Sequence, residues 1–189
     1  AFRGSVAGSY RRRLKSMSEL ESLLRRLPAF PEPLPVLRDE DLPDSPHELF
    51  LDWLHAAIDN GGRQPHAMTM LTSRPDGTPV GRTLILKDID DAGYHFSTHR
   101  SSRKGIEIAA NPRVSFVFFW RESGRQVRVT GDAIALSEEV SQLDWSGRPS
   151  YAGEPNPDWQ RYALRPDEFE FMQARLDRNH TRIEYRRDG

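Results

Sequence analysis

Between residues 66 and 136 the sequence consists mainly of short β-prone runs separated by turn residues, and this succession constrains the fold more than any other feature. The runs "RVSFVFFW" and "RQVRVTGDAIAL" are joined by a turn at Glu122 to Gly124. The runs "HAMTMLTS" and "TPVGRTLILKDI" flank "RPDG", whose Pro-Asp-Gly supplies turn geometry, and "GYHFSTH" is a further strand. The pattern predicts antiparallel strands joined in hairpins.

Three helices are predicted beside these strands. In "DSPHELFLDWLHAAIDNG", Ser45 and Glu48 form a capping-box pattern, Pro46 suits the first turn and Asn60-Gly61 ends the helix. Its predicted buried stripe is Leu49, Phe50, Trp53, Leu54 and Ala57. "SSRKGIEIAANP" is predicted as a short helix that ends at Asn111-Pro112, and "SEEVSQLDWSG" as a helix opened by Ser137.

After a loop rich in Pro and Gly, "RPSYAGEPNPDW", the chain closes with two predicted strands, "DEFEFMQA" and "NHTRIEYRR". On a strand, the alternation of Arg178, His180 and Arg182 would place all three side chains on one face. The whole pattern predicts a mainly β fold with α, a small closed or nearly closed antiparallel β-barrel with helices outside it.

Residues 1–41 are predicted to be an N-terminal extension, partly helical or mobile, and residues 42–189 one domain. The extension contains a short helical pattern with Leu20, Leu23, Leu24 and Leu27 on one stripe, and the Pro-rich "PAFPEPLP" follows it. The expected role of this arm is to lie free or over a partner subunit.

Composition excludes several classes of function. The net charge of -1 offers no global basic field for nucleic acid, and the absence of cysteine excludes disulfides, thiolate zinc sites and thiol nucleophiles. No apolar run approaches the roughly 20 residues of a membrane helix, and no signal peptide pattern is present. A cytoplasmic protein that binds no membrane, no nucleic acid and no metal is therefore expected.

Cationic residues cluster at the edges of otherwise apolar strands and in the turns after them. The clusters are Arg82 with Lys87 at the ends of "RTLILK", Arg103-Lys104 at a helix start that follows Ser97, Thr98, Ser101 and Ser102, and the terminal Arg178, His180 and Arg182. Hydroxyls, cations and free helix N–H groups together make an anion site that suits phosphate. One "SSRK" string by itself is more often an ordinary solvated helix start, but three clusters suggest a ligand with more than one anionic group.

Several ordered strings resemble a known family over most of the chain. "RTLILK", "FSTHRSSRKGIEIAANPRVSFVFFW", "RQVRVTGDA" and "FEFMQARLDRNHTRIEY" are similar to the flavin-binding core of the pyridoxamine 5'-phosphate oxidase family, from about Leu42 to Tyr185. The resemblance implies an FMN-binding split β-barrel homodimer with FMN at the subunit interface. It also implies an FMN-dependent oxidoreductase whose acceptor is O2.

The same resemblance implies roles for individual residues. The implied FMN-binding residues are Arg82, Lys87, Ser97, Thr98, Arg103, Lys104, Gln126, Met172 and Arg182. The implied substrate-binding residues are Lys87, Arg148, Arg178 and His180, with Lys87 and Arg148 on the substrate phosphate. Arg178 and His180 are the implied catalytic pair, which orients the substrate and exchanges a proton.

The sequence departs from the family pattern at the substrate end. Asp144 stands where a tyrosine is expected on the substrate phosphate, Ala152 replaces a serine, and Met172 replaces a tryptophan. The segment from 149 to 166 is shorter than its family counterpart.

Three hypotheses follow, in this order. The first is oxidation of pyridoxamine or pyridoxine 5'-phosphate to pyridoxal 5'-phosphate, with a phosphorylated aromatic substrate. The second is oxidation of a reduced aromatic secondary metabolite, as in the phenazine-biosynthesis flavin oxidases that resemble this family, and it suits Asp144, Ala152 and the short segment. The third is a flavin-binding protein without catalysis.

Overall fold

The computed structural model describes residues 19–187, and the chain divides into two compact units, 1–30 and 31–189. In the first unit residues 19–25 are helical, and Leu20, Leu23, Leu24 and Leu27 are exposed. The rest of the predicted N-terminal helix lies outside the described residues. The boundary predicted at residue 41 remains a prediction.

The second unit contains three α-helices and eight strands within the described residues. The helices are α1 (Pro46–Asp59), α2 (Arg103–Ala110) and α3 (Glu138–Ser146), and a 3-10 turn at Asp39–Asp41 precedes them. The strands are β1 (Ala67–Ser73), β2 (Pro79–Ile85), β3 (Asp88–Asp90), β4 (Gly93–His99), β5 (Arg113–Trp120), β6 (Arg125–Ala135), β7 (Trp159–Gln173) and β8 (Thr181–Arg186).

All strand pairs are antiparallel, in the order β2-β1-β5-β6-β7-β4-β3, and β8 also pairs with β7. The long β7 strand connects the sheet. On one edge of β7, the first part pairs with β4 and the last part with β8. The other edge of β7 pairs with β6 over most of its length. The mainly β fold with peripheral helices is confirmed.

The core lies between α1 and the inner face of the sheet. The predicted stripe of α1 is buried in full. The Phe50 ring meets Tyr94 and Phe118 with centroids 5.0 and 4.9 Å apart, and Trp53 meets Phe171 edge-on at 5.3 Å. Such edge-to-face aromatic pairs add specificity to the burial of apolar surface.

Two details of the helix predictions have different outcomes. Ser137 caps α3 as predicted, because its side chain accepts a hydrogen bond from the N–H group of Val140, and the structure adds a cap on α2, where Ser102 accepts from the N–H group of Gly105. The capping box of α1 is wrong, since the Ser45 side chain makes no capping bond. Pro46 at the first turn removes one N–H group that would otherwise need a partner.

The end of the chain differs most from the prediction. β7 begins at Trp159, eight residues before the predicted start at Asp167. Pro166 concealed it, because a proline usually breaks a central strand. Here Pro166 lies opposite a register shift between Thr130 and Gly131, and a Cβ on Gly131 would lie only 1.9 Å from the Arg165 carbonyl oxygen. The bulge and the glycine together accommodate the proline.

The predicted strand at 179–187 is shorter, and this corrects the predicted clustering of three charged side chains. β8 begins at Thr181, so Arg178 and His180 precede it and only Arg182 lies on the strand. Arg178 has a positive φ of 62° within a turn. A turn breaks the two-residue alternation, so the prediction that all three side chains share one strand face is wrong.

Candidate active site

A pocket of about 420 Å³ opens beside the end of β2, the end of β4 and the start of α2. It contains Lys87, Ser97, Thr98, Lys104 and Arg148, which the sequence analysis assigned to cofactor or substrate binding. The other lining residues are Thr83, Leu84, Ile85, His99 and Trp159. The fold therefore brings together side chains from five separate parts of the sequence.

The N-terminus of α2 forms one side of this pocket. The Ser102 hydroxyl donates to the His99 carbonyl at 2.7 Å, accepts from the Gly105 N–H at 3.2 Å and lies 3.1 Å from the Thr98 hydroxyl. The N–H groups of Arg103 and Lys104 belong to the first helical turn and have no acceptor within the helix. Together with the helix dipole they favour an anion at this position.

Two cations of the pocket have no carboxylate partner within residues 19–187. Lys104 makes no hydrogen bond or ion pair there; burial and the nearby Arg82 charge lower the pKa of its ammonium group, and the Glu107 carboxylate, which is paired with Arg82, offsets this only in part. The Arg148 guanidinium lies 4.3 Å above the Trp159 ring, while its buried Nε has no hydrogen-bond partner among the described residues. Arg103, beside them, is exposed. These cations suit the pocket to an anionic group.

Lys87, which also lines the pocket, already has an anionic partner. The Lys87 ammonium donates to Asp144 Oδ1 at 3.1 Å, the Arg161 guanidinium donates to the same oxygen at 2.6 Å, and the Trp159 indole N–H donates to Oδ2 at 2.8 Å. Burial raises the pKa of Asp144, but the hydrogen bonds outweigh it and hold the pKa below its usual value. The buried Ser97 hydroxyl also favours the Asp144 charge, although it makes no hydrogen bond of normal geometry.

Arg82, a predicted FMN contact, does not line this pocket. Its guanidinium donates to Thr72 at 2.5 Å and to Glu107 at 2.9 Å. The Thr72 hydroxyl also donates to Glu107, and this bond is the main reason that the pKa of Glu107 is lowered. Arg82 thus joins β2, β1 and α2 through a mostly buried ion pair.

Gln126, Met172 and Arg182 form a row on the outer face of the sheet. Gln126 lies opposite Met172 in the β6–β7 pair, and Met172 lies opposite Arg182 in the β7–β8 pair. Phe119 lies opposite Gln126 in the β5–β6 pair, and its side chain is 43% exposed. Directly opposed residues share a face, so these predicted cofactor contacts are neighbours although they do not line the pocket.

Arg178 and His180 lie in the turn between β7 and β8. The Arg175 backbone N–H donates to His180 Nδ1 at 3.0 Å. Since Nδ1 accepts this bond, Nε2 is the ring nitrogen that carries the hydrogen. Neither side chain lines the basic pocket, but the same turn borders a groove of about 510 Å³ between residues 32–37 and 173–181.

Sequence reasoning missed Arg161 and His95, which extend the charged network away from the pocket. Arg161 Nη2 lies 3.3 Å from His95 Nδ1, and His95 Nε2 lies 2.8 Å from Asp90. Arg161 falls in the part of β7 that the proline concealed. The β-prone alternation that begins at Trp159 was the available signal for it.

An antiparallel β-barrel-like sheet with a basic pocket at a helix N-terminus defines a protein of the split-barrel type. The comparisons with known proteins make this class more specific. Residues 54–173 match the family described as pyridoxamine 5'-phosphate oxidase. Residues 159–189 match the pyridoxine 5'-phosphate oxidase C-terminal dimerisation region.

Individual relatives agree with these family matches. The chain is 34% identical to a pyridoxine/pyridoxamine 5'-phosphate oxidase of Rubrobacter xylanophilus, over 81% of this chain and 86% of that protein. It is 36% identical to that of Bordetella pertussis, over 82% and 89%.

Solved structures of related proteins share the fold. PhzG from Burkholderia lata, in complex with tetrahydrophenazine-1-carboxylic acid, has a TM-score of 0.77 and 30% identity over 82% of this chain and 94% of that one. An FMN-binding protein related to pyridoxamine 5'-phosphate oxidase, from Nostoc punctiforme, has a TM-score of 0.59 at 15% identity over 78% and 99%, and shows the fold alone.

The chain belongs to the pyridoxamine 5'-phosphate oxidase family, which is a family of oxidoreductases. Met172, Arg178, His180 and Arg182 all lie within the dimerisation region. None of the helices in residues 19–187 is long and apolar enough to span a membrane.

Proposed function

We propose that this protein is an FMN-dependent oxidase that removes a hydride equivalent from a reduced, nitrogen-containing aromatic substrate and uses O2 as the acceptor. The observation that carries the proposal is the basic pocket at the N-terminus of α2, where Lys104 and Arg148 lack carboxylate partners among residues 19–187. Family membership gives this pocket its chemical context.

The residues of the pocket fit the phosphate of FMN. A phosphate oxygen beside α2 would accept hydrogen bonds from the Arg103 and Lys104 N–H groups and from the Thr98 hydroxyl, with the Lys104 ammonium as counter-charge. An anion would also offset the burial that lowers the pKa of Lys104. FMN, when bound, would accept the hydride equivalent from the substrate and pass the electrons to O2, which yields hydrogen peroxide.

The remaining predicted site residues are proposed to complete the site in a homodimer. Gln126, Met172 and Arg182 share one sheet face, and Arg178 and His180 lie in the following turn, so neither group lines the pocket of its own chain. A partner subunit that packs its dimerisation region against this pocket would supply them. In that arrangement Arg178 holds the substrate, and His180 Nε2–H donates a hydrogen bond to it.

Two substrate classes are candidates. The names of the relatives, together with Lys87 and Arg148 in the pocket, support pyridoxamine or pyridoxine 5'-phosphate. Asp144, which pairs with Lys87, favours a substrate without a phosphate, of the kind found in PhzG. The two classes differ in the charge that they would bring to Lys87.

The first experiment measures flavin binding. We expect the purified protein to be yellow, or to become so with added FMN, and Lys104→Met to weaken FMN affinity at least about tenfold through loss of a charge-assisted contact. Lys104→Arg is the matched control and should retain most of the affinity. A colourless protein that FMN does not reconstitute would refute the proposal.

The second experiment measures turnover of the FMN-loaded protein in air. Pyridoxamine 5'-phosphate, pyridoxine 5'-phosphate and a reduced phenazine carboxylic acid are supplied separately, and peroxide and the oxidised product are quantified. Peroxide that matches product from one substrate class identifies that class. Flavin binding without turnover of any of them would support the third hypothesis, a flavin-binding protein without catalysis.

A further inference from the structure

Lys87, which lines the pocket, belongs to a closed cluster of charges. Asp144 is 9% exposed at its side chain and accepts hydrogen bonds from Lys87, Arg161 and Trp159, so both of its oxygens are occupied. The Arg161 side chain is only 12% exposed; its Nη1 contacts Asp144, and its Nη2 lies 3.3 Å from His95 Nδ1. Lys87 is the only cation of this cluster that lines the pocket.

The lysines that line the pocket therefore differ in what they can still bind. Lys104, at the start of α2, makes no ion pair among residues 19–187, so an anionic group can bind beside it. At Lys87, by contrast, the carboxylate of Asp144 already neutralises the ammonium at 3.1 Å. A second phosphate beside Lys87 would lie in contact with a buried carboxylate, and like charges at such distances repel strongly when little water separates them.

We propose that Asp144 occupies the position of a substrate anion, so that this site selects reduced nitrogen heterocycles that carry no phosphate beside Lys87. The proposal rests on the function proposed above, because it concerns the same pocket. It makes Asp144 a specificity-determining residue that acts by repelling the wrong ligand as well as by engaging Lys87. Arg161 is a positioning residue, since it holds Asp144 in place and does not line the pocket.

The affinity of the protein for a phosphorylated and an unphosphorylated probe tests this directly. Pyridoxal 5'-phosphate and pyridoxal differ in the phosphate, and both can be titrated by calorimetry or by absorbance into the FMN-loaded protein. For the wild type we expect no preference for the phosphorylated probe. A wild-type preference of tenfold or more would overturn the proposal without any variant.

Asp144→Asn keeps the shape of the side chain and removes its charge, which leaves Lys87 free to meet an anion. We expect this variant to gain at least about tenfold in affinity for pyridoxal 5'-phosphate and to change little toward pyridoxal. Asp167→Asn is the matched control, because it removes the same charge from a carboxylate that pairs with Arg113 and does not line the pocket. It should show no gain.

A well-folded Asp144→Asn protein with unchanged or weaker affinity for pyridoxal 5'-phosphate would overturn the proposal. Thermal unfolding and the FMN content establish whether the variant is folded. If it is not folded, the relative affinity of the wild type for pyridoxal 5'-phosphate and pyridoxal decides whether the proposal holds. If FMN does not bind, the proposed function fails, and the anion site beside Lys104 is then open to the phosphate of pyridoxal 5'-phosphate. The gain of Asp144→Asn over the wild type still tests the present proposal, because that site is the same in both proteins.

Discussion

Single side chains of this protein have roles that their sequence positions do not reveal. Arg82 and Lys87 bound the same short apolar run, yet their environments differ. Arg82 forms a mostly buried ion pair with Glu107, whereas Lys87 lines the basic pocket beside Asp144. The first arrangement stabilises the fold, and the second lies in the proposed binding site.

Replacing Arg82 therefore tests a structural role. Arg82→Met would leave Glu107 and Thr72 without their charged partner, and we expect a loss of about 2 kcal/mol in the free energy of unfolding of the FMN-free protein. Denaturant unfolding measures it. Lys104→Met, at the pocket end of α2, is the comparison and should change stability much less. Equal effects of both substitutions would contradict this assignment.

His180 offers a second prediction at the residue scale. Its Nδ1 accepts the Arg175 N–H, and Nε2–H is the group that can reach a ligand. His180→Asn can keep the first bond through its amide oxygen, while His180→Ala loses both. We expect both variants to lower kcat/KM by about tenfold to a hundredfold, a typical range for a lost hydrogen-bond donor of an active site.

Stability separates the two His180 variants. Only His180→Ala should also lower the melting temperature, because only it removes the acceptor for the Arg175 N–H. An Asn variant with full activity would show that Nε2 takes no part in the reaction.

At the scale of elements, helix α2 connects the fold to the pocket. Its first turn lies so close to the preceding loop that a Cβ on Gly105 would be 2.4 Å from the Arg100 carbonyl oxygen and 2.6 Å from that of His99. Backbone atoms cannot yield as a flexible side chain can, so only glycine fits here. The position of the N–H groups that are proposed to bind the FMN phosphate thus depends on the lack of a side chain at Gly105.

Gly105→Ala should displace α2 from this loop. We expect a loss of about 1 to 3 kcal/mol in stability, as in other cases of overpacking, and weaker FMN binding. Gly147→Ala is the matched control, because a Cβ there would meet nothing closer than 3.7 Å. Thermal unfolding and an FMN titration measure both effects. A Gly105→Ala protein with wild-type stability would show that the loop can move at little cost.

At the scale of the whole molecule, the outer face of the sheet is the expected interface between two subunits. The row that contains Gln126, Met172 and Arg182 also contains Phe119, and the last two strands of the row, β7 and β8, lie within the dimerisation region of the family. A charge in place of the apolar Phe119 is costly if this face is buried between subunits, because it must be desolvated on association.

Phe119→Glu should therefore convert the proposed dimer to a monomer and reduce FMN affinity at the same time. Ile58→Glu is the control, since Ile58 is a similarly exposed apolar residue on α1. Light scattering coupled to size exclusion gives the mass of each variant. A Phe119→Glu protein that remains a dimer with full flavin content would place the interface elsewhere.

Local pattern explains why much of this architecture was predictable from the sequence. Turn residues between β-prone runs defined β1, β2, β4, β5 and β6, and the apolar stripe of α1 predicted its buried face in full. These features depend on neighbours in the chain, so periodicity and turn chemistry carry them. The alternation of Arg178, His180 and Arg182 was misleading because a turn, stabilised by the Arg175 N–H and His180, interrupts it.

The sequence by itself determined the strand and helix pattern, the family strings and the residue types that can bind an anion. Only the tertiary structure decided which of those residues meet. It placed Asp144 of α3 against Lys87 and Arg161, and it paired Arg82 with Glu107 instead of directing it into the pocket. These contacts join residues that are distant in the chain, and their partners are set by strand order and register, which local propensity does not encode.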